Sequence, residues 1–196
     1  AVKHDLVVIT DEIYSELTYG ERSQSLAAFP GMKDRTVFLH GFSKAFAMTG
    51  FRIGYACGPN ELIEAMMKIH QYSMLCASII AQEAALEALR NGQRAMLAMR
   101  TEYEQRRNVI VKRLNAIGLS CTLPEGAFYA FPRITETGMT AHQFAMGLLA
   151  QQQVAVVPGT AFGSCGEGYV RCAYAASMGD IETAMERIAV FLSDHA

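Results

Sequence analysis

The sequence predicts an α/β chain in which a truncated, mostly parallel sheet is followed by a smaller α+β domain. Three observations predict it. Short β-branched and apolar runs at Leu6–Thr10 and Thr36–His40 read as buried strands. Apolar residues at helical spacing follow from Leu62 onward. A single long helical pattern from Gln93 to Ile117 then separates this region from a second set of short strands and helices. The division falls at Asn91-Gly92, so residues 1–92 form one domain and 93–196 the other.

The elements follow in order. Leu6–Thr10 is continuously apolar, the pattern of a strand that needs neighbours on both sides, and from this the chain is expected to be part of a longer polypeptide. A polar, turn-rich segment from Ser15 to Asp34 leads to the strand Thr36–His40, and Arg52–Cys57 reads as the next strand. Leu62, Ile63, Met66, Met67 and Ile69 form a helix with Asn60 as its cap, and a second helix covers Ile79 to Arg90. Gly118 stops the long helix. Ser120–Leu123 and Ala127–Phe131 read as strands around a Pro124-Glu-Gly126 turn. Thr140 and Gln143 form a capping box for a helix that shares Ala141, Phe144, Ala145, Leu148 and Leu149 on one face. Val154–Val157 and Tyr169–Tyr174 are strands flanking a glycine-rich loop, and Ser177 caps a last helix.

Composition excludes several classes. The chain has 196 residues, 51% of them hydrophobic, and a formal net charge of −2. No Lys/Arg stripe exists to neutralise a row of phosphates, so nucleic acid is not the expected partner, and no apolar run is long enough to span a bilayer. Eleven methionines and the high apolar content suggest an oligomer interface. Five cysteines, at 57, 76, 121, 165 and 172, form no metal-like spacing and cannot all pair within one chain, which points to a reducing cytosol. Cys57 and Cys172 read as packed thiols, and the five dispersed histidines as core or surface residues rather than metal ligands.

The chemistry centres on Lys44, which stands with Ser43 on a tight loop between two apolar runs. A partly desolvated ammonium there loses part of its preference for the charged form and can act as a nucleophile. Asp11 ends a strand at the edge where open α/β sheets bind ligands. Arg171 sits inside an otherwise apolar strand, so it either meets an internal carboxylate or awaits one from a substrate.

Asp11-x-x-Tyr14, Ser43-Lys44, Arg52 eight residues further on, and Val170-Arg171-x-x-Tyr174 resemble, in order and spacing, the fold-type I, class I/II aminotransferases that use pyridoxal 5′-phosphate. The segment from Ser43 to Tyr55 is especially similar to the branch of prokaryotic aspartate and aromatic aminotransferases. The resemblance implies that the chain is the C-terminal portion of such an enzyme, its first domain being part of the cofactor-binding large domain. By the same resemblance Lys44 forms the aldimine with the cofactor and moves the substrate proton, and Asp11 keeps the pyridine nitrogen protonated. Tyr14 hydrogen-bonds the cofactor's 3′-oxygen, Arg52 pairs with its phosphate, and Arg171 clamps the substrate α-carboxylate. The implied reaction moves an amino group between an amino acid and a 2-oxo acid in a homodimer. A lyase or synthase of the same fold, a cofactor-binding sensor domain of a transcription regulator, and a chain that folds without doing chemistry are the alternatives. One departure concerns the phosphate: many relatives carry serine three residues before the lysine, where Gly41 stands here, and Ser43 is the candidate replacement.

Overall fold

The computed structural model describes residues 1–21 and 23–195, which form two compact units, Ala1–Arg100 and Thr101–Ala196. In the first unit three strands, β1 (Val8–Asp11), β2 (Thr36–Gly41) and β3 (Gly54–Cys57), make one sheet in that order. β1 and β2 run parallel, with Asp11 opposite Leu39. β2 and β3 run antiparallel, with His40 opposite Tyr55 and Gly41 opposite Gly54. The expected parallel sheet is therefore half antiparallel here. The reason is that the loop from Phe46 to Ile53 reverses the chain directly and leaves no room for a crossover helix.

The two flanking strands are less buried than their composition suggests. β1 lies at the sheet edge with Ile9 69% exposed, and Cys57 is exposed rather than packed. α1 (Phe42–Ala45) follows β2 without a break, and Phe42, Met48 and Ala85 form the local core with Phe46, Ile53 and Ala88 against it. α2 (Asn60–Ser73) buries none of its residues, and Met67, Ile69, Tyr72, Ile79 and Ile80 face outward. Pro59, not Asn60, takes the cap position of α2; the Asn60 amide instead donates to Glu64 Oε1 at 2.7 Å. α3 (Ile79–Asn91) and α4 (Gln93–Ala116) meet at Gly92.

In the second unit, β4 (Tyr129–Ala130), β6 (Val170–Ala173) and β5 (Val157–Pro158) form an antiparallel sheet with β6 in the centre. β4 is shorter than expected because Ala127 turns into the left-handed region, φ 58°, just before it. Ser120–Leu123 is not a strand. Its backbone is held by Asn115, whose side-chain amide donates to the Cys121 carbonyl at 3.0 Å and accepts from its N–H at 3.0 Å, a side chain standing in for a neighbouring strand. α4 ends at Ala116, and Gly118, φ 90°, turns the chain two residues later, as the sequence requires.

α5 (Ala141–Gln152) and α6 (Met178–Ser193) pack through an edge-to-face contact of Phe144 and Phe191 at 5.4 Å. Ala141, Phe144, Ala145 and Leu148 are buried as expected, whereas Leu149 is 45% exposed. Ser177 caps α6 by accepting from the Asp180 N–H. The glycine-rich loop closes on itself: a Cβ on Gly159 would come within 2.1 Å of the Gly166 carbonyl oxygen, so the two backbones touch and leave no cradle. Thr140 and Gln143 satisfy each other's backbone N–H groups at the start of α5, the full capping box. Thr140→Ala is expected to lower stability by about 1 kcal/mol, measured as a shift of the denaturant midpoint at unchanged slope; an unshifted midpoint would show the box to be energetically silent.

Candidate functional site

In the first unit the strand directions gather five of the six expected residues at one end of the sheet. β1 and β2 run parallel, so Asp11 ends β1 at the same edge where β2 hands over to α1 and Lys44. β3 runs the other way, so Arg52 enters it from that edge, two residues before the Gly41–Gly54 pair. Asp11 is exposed, and its Oδ1 accepts the Ile13 N–H at 3.1 Å, a local turn that aims the chain toward Tyr14. Lys44 Nζ lies 5.9 Å from the centre of the Tyr14 ring, within reach of a cation–π contact. Ser43 is half-buried on the same turn as Lys44.

Arg52 adopts a left-handed backbone, φ 52° and ψ 50°, and Ala47 does the same at φ 53°. Each such residue costs about 1–2 kcal/mol, so the surrounding contacts must hold the loop in place. The Phe46 and Met48 N–H groups both donate to the Phe42 carbonyl, and Arg52 Nη1 donates to the Thr49 carbonyl at 2.8 Å. The departure at Gly41 has a packing reason. A Cβ there would sit 3.0 Å from Ile13 Cδ1 and 3.2 Å from the Ile53 carbonyl oxygen, so a serine would need these neighbours to shift by a few tenths of an ångström.

Sequence reasoning passed over His40. Its ring stacks on Phe38 at 5.7 Å and meets Tyr55 at 5.5 Å, and its Nε2 lies 3.0 Å from Ser15 Oγ. That bond ties the strand leading to Lys44 to the turn following Tyr14. The signal was present in the alternation of Phe38 and His40, which puts both on one face of β2. Glu12 does similar work on the neighbouring loop, accepting from Ser25 Oγ at 2.9 Å and from the Leu26 N–H at 3.1 Å. A cavity of about 430 Å³ opens on this face, lined by Glu12, Ser15, His40, Phe46 and Tyr55; Asp11, Lys44 and Arg52 are not part of its wall. Burial holds the His40 imidazole below its ordinary range, against the opposing pull of Glu16 and Glu12.

Arg171 belongs to the second unit. It is half-buried on β6, opposite Val157, with its guanidinium carbon 4.3 Å from the centre of the Tyr129 ring and 4.4 Å from that of Phe162. Among the described residues no carboxylate forms an ion pair with it. Of the two readings of this arginine, the internal salt bridge is thus not the one the fold makes. Cys172, next to it, is fully buried and its thiol is pushed up to about 12 by desolvation. No cluster of His, Cys, Asp and Glu among the described residues could hold a metal ion, and no helix among them is long and apolar enough to cross a membrane.

A family model for aminotransferase class I and II matches residues 1–188, and the chain belongs to that family. A Bacillus subtilis (strain 168) protein described as an aminotransferase, with no substrate named, is 57% identical over 192 residues, which cover 98% of this chain and 50% of its own length. An aspartate aminotransferase of Pyrococcus abyssi is 47% identical over 191 residues, covering 96% of this chain and 49% of its own. Among solved structures, an aromatic aminotransferase from Pyrococcus horikoshii superposes with a TM-score of 0.95 at 46% identity, over 98% of this chain and 52% of that one. The chain therefore spans about half the length of the curated relatives it matches.

Gly54 admits no side chain, since a Cβ would lie 2.8 Å from the His40 carbonyl oxygen. Gly54→Ala is expected to destabilise the protein by about 1–3 kcal/mol, read from the denaturant midpoint, and an unchanged midpoint would refute the close approach. A second expectation concerns pH. Because the folded state holds His40 below the unfolded value, the unfolded chain takes up this proton first as pH falls, and stability drops from about pH 7 toward pH 5. His40→Gln should show a shallower loss over that window in paired urea titrations; parallel slopes would refute the burial of a neutral imidazole.

Proposed function

We propose that this chain is part of an enzyme that transfers an amino group between an L-amino acid and a 2-oxo acid, with pyridoxal 5′-phosphate as its cofactor. The observation that carries the reading is Lys44, held on α1 with its ammonium 5.9 Å from the Tyr14 ring, at the sheet end where Asp11 and Arg52 also emerge. An amine, a phenol, a carboxylate and a guanidinium at one edge are the donor set that this cofactor needs. Family membership supports it, since aminotransferases of class I and II use that group.

When bound, the cofactor supplies an aldehyde that condenses with amines and a ring that draws electrons from the substrate Cα. The chain's own residues do the rest. Asp11 holds the proton on the ring nitrogen, because a carboxylate beside it favours the cationic form. Tyr14 donates its phenol hydrogen to the ring oxygen. Arg52 pairs with the phosphate, its planar guanidinium matching a dianion, and Ser43 together with α1 backbone N–H groups supplies the contact that Gly41 cannot. Lys44 would hold the cofactor through its amine and would be the base that moves the substrate Cα proton. Arg171 binds the substrate carboxylate.

We further propose a homodimer, in which the exposed Met67, Ile69, Tyr72, Ile79 and Ile80 are covered by protein, and a location in the reducing cytosol, consistent with five free cysteines. Lys44→Ala in the full-length enzyme is expected to lower amino transfer by about a thousandfold or more, followed as keto-acid-dependent product formation. Turnover at the unmutated rate would remove Lys44 from the mechanism, and turnover without a 2-oxo acid acceptor would move the enzyme to the lyases.

A further inference from the structure

We propose that Phe162 and Tyr129 are positioning residues that hold the Arg171 guanidinium between them and present its N–H edge to an incoming carboxylate, so that carboxylate affinity depends on both rings. The inference rests on the reading of Arg171 as the carboxylate-binding group.

The geometry comes from the sheet. Arg171 lies on β6, the central strand, and the two rings reach it from its two neighbours. Tyr129 stands on β4 opposite Ala173, which makes it the diagonal neighbour of Arg171 on the same face. Phe162 ends the 3₁₀ turn Gly159–Phe162, which follows Pro158 at the end of β5, where Val157 is the residue opposite Arg171. The ring centres stand 4.3 Å and 4.4 Å from the guanidinium carbon. Phe162 is itself supported by Phe131 in an edge contact at 6.2 Å, and Phe131 stacks on Tyr169 at 5.5 Å.

The chemistry follows from the shape of the cation. A guanidinium is weakly hydrated across its faces and carries its donors in the plane. Rings packed against the guanidinium carbon therefore remove little hydration, and aromatic contact of this kind is compatible with a bidentate carboxylate on the N–H fork. They also restrict the side chain before the ligand arrives, which reduces the ordering penalty on binding. Two features separate this from ordinary packing. Arg171 makes no ion pair or hydrogen bond among the described residues, so the rings are the contacts that orient it. Phe162 is 53% exposed, so its ring covers little core and stands at the surface beside the cation.

The test titrates succinate, an unreactive dicarboxylate, into the cofactor-loaded full-length enzyme by calorimetry, alongside kcat and KM for the amino-acid substrate. Phe162→Leu is expected to weaken succinate and raise KM by about fivefold, with kcat changed by less than about twofold. Phe162→Tyr, which keeps a ring, should restore both. Tyr129→Leu should show the same split, and supplies the measurement if the Phe162→Leu protein does not fold. Wild-type succinate affinity in Phe162→Leu or Tyr129→Leu, with affinity lost in Arg171→Gln, would overturn the role of the rings while the carboxylate reading stands. Undiminished affinity in Arg171→Gln would instead overturn the carboxylate reading itself. A fall in kcat at unchanged KM in the ring variants would also overturn the proposal, since it would mean that the rings act on the reaction rather than on binding.

Discussion

The close approach of Gly41 to Gly54 is the constraint on which the first unit depends. These residues pair at the last rung of the antiparallel ladder, and at Gly54 a Cβ would lie 2.8 Å from the His40 carbonyl oxygen. Bringing the two backbones together fixes where β2 ends and where β3 begins. Lys44 and Arg52 are then positioned by chain length alone, three residues beyond one glycine and two before the other. The segment from Lys44 through Arg52 contains two left-handed non-glycine residues, Ala47 and Arg52, and Phe42 anchors it through its carbonyl and its buried ring. A loop this short leaves its backbone few conformations.

The second unit solves a different problem. A cation on the central strand of a small antiparallel sheet would ordinarily require a carboxylate nearby. Here aromatic faces take its place, with Tyr129 and Phe162 each a little over 4 Å from the guanidinium carbon. An internal salt bridge would quench the charge, which contact with an aromatic ring does not. On the other face of β6 the buried Cys172, its thiol pushed up to about 12, marks how dry the interior of this layer is. The contrast across one strand, uncharged thiol inward and oriented cation outward, is what β alternation produces when only one face is core.

Much of this was legible in the sequence, and the particular residues show why. Periodicity located α3, α5 and α6 and the caps at Thr140 and Ser177, because helix faces and capping hydroxyls are local properties. Asp11, Tyr14, Lys44, Arg52 and Arg171 stood out for another reason: their order and spacing resemble those of class I/II aminotransferases. What escaped was non-local. Ser120–Leu123 has strand composition, yet Asn115 ties its backbone and no strand pairs with it. β3 has strand composition and forms a strand, but its direction was set by a loop too short for a crossover. Asn60 is the first residue of α2 rather than its cap, and its amide donates to Glu64 one turn along.

His40 and Phe162 illustrate the same limit around the candidate site. Neither residue type, taken singly, announces a role. His40 acquires one through Ser15, twenty-five positions away in the chain, and Phe162 through Arg171, which sits across a strand pair. A sequence displays the residues that do chemistry because they are chemically unusual. It conceals those that hold them, because a ring or an imidazole in a supporting position is as ordinary as one in a core. The supporting shell therefore becomes visible only when register is known, and here register runs from the Gly41–Gly54 contact in one unit and from the Val157–Arg171 pair in the other.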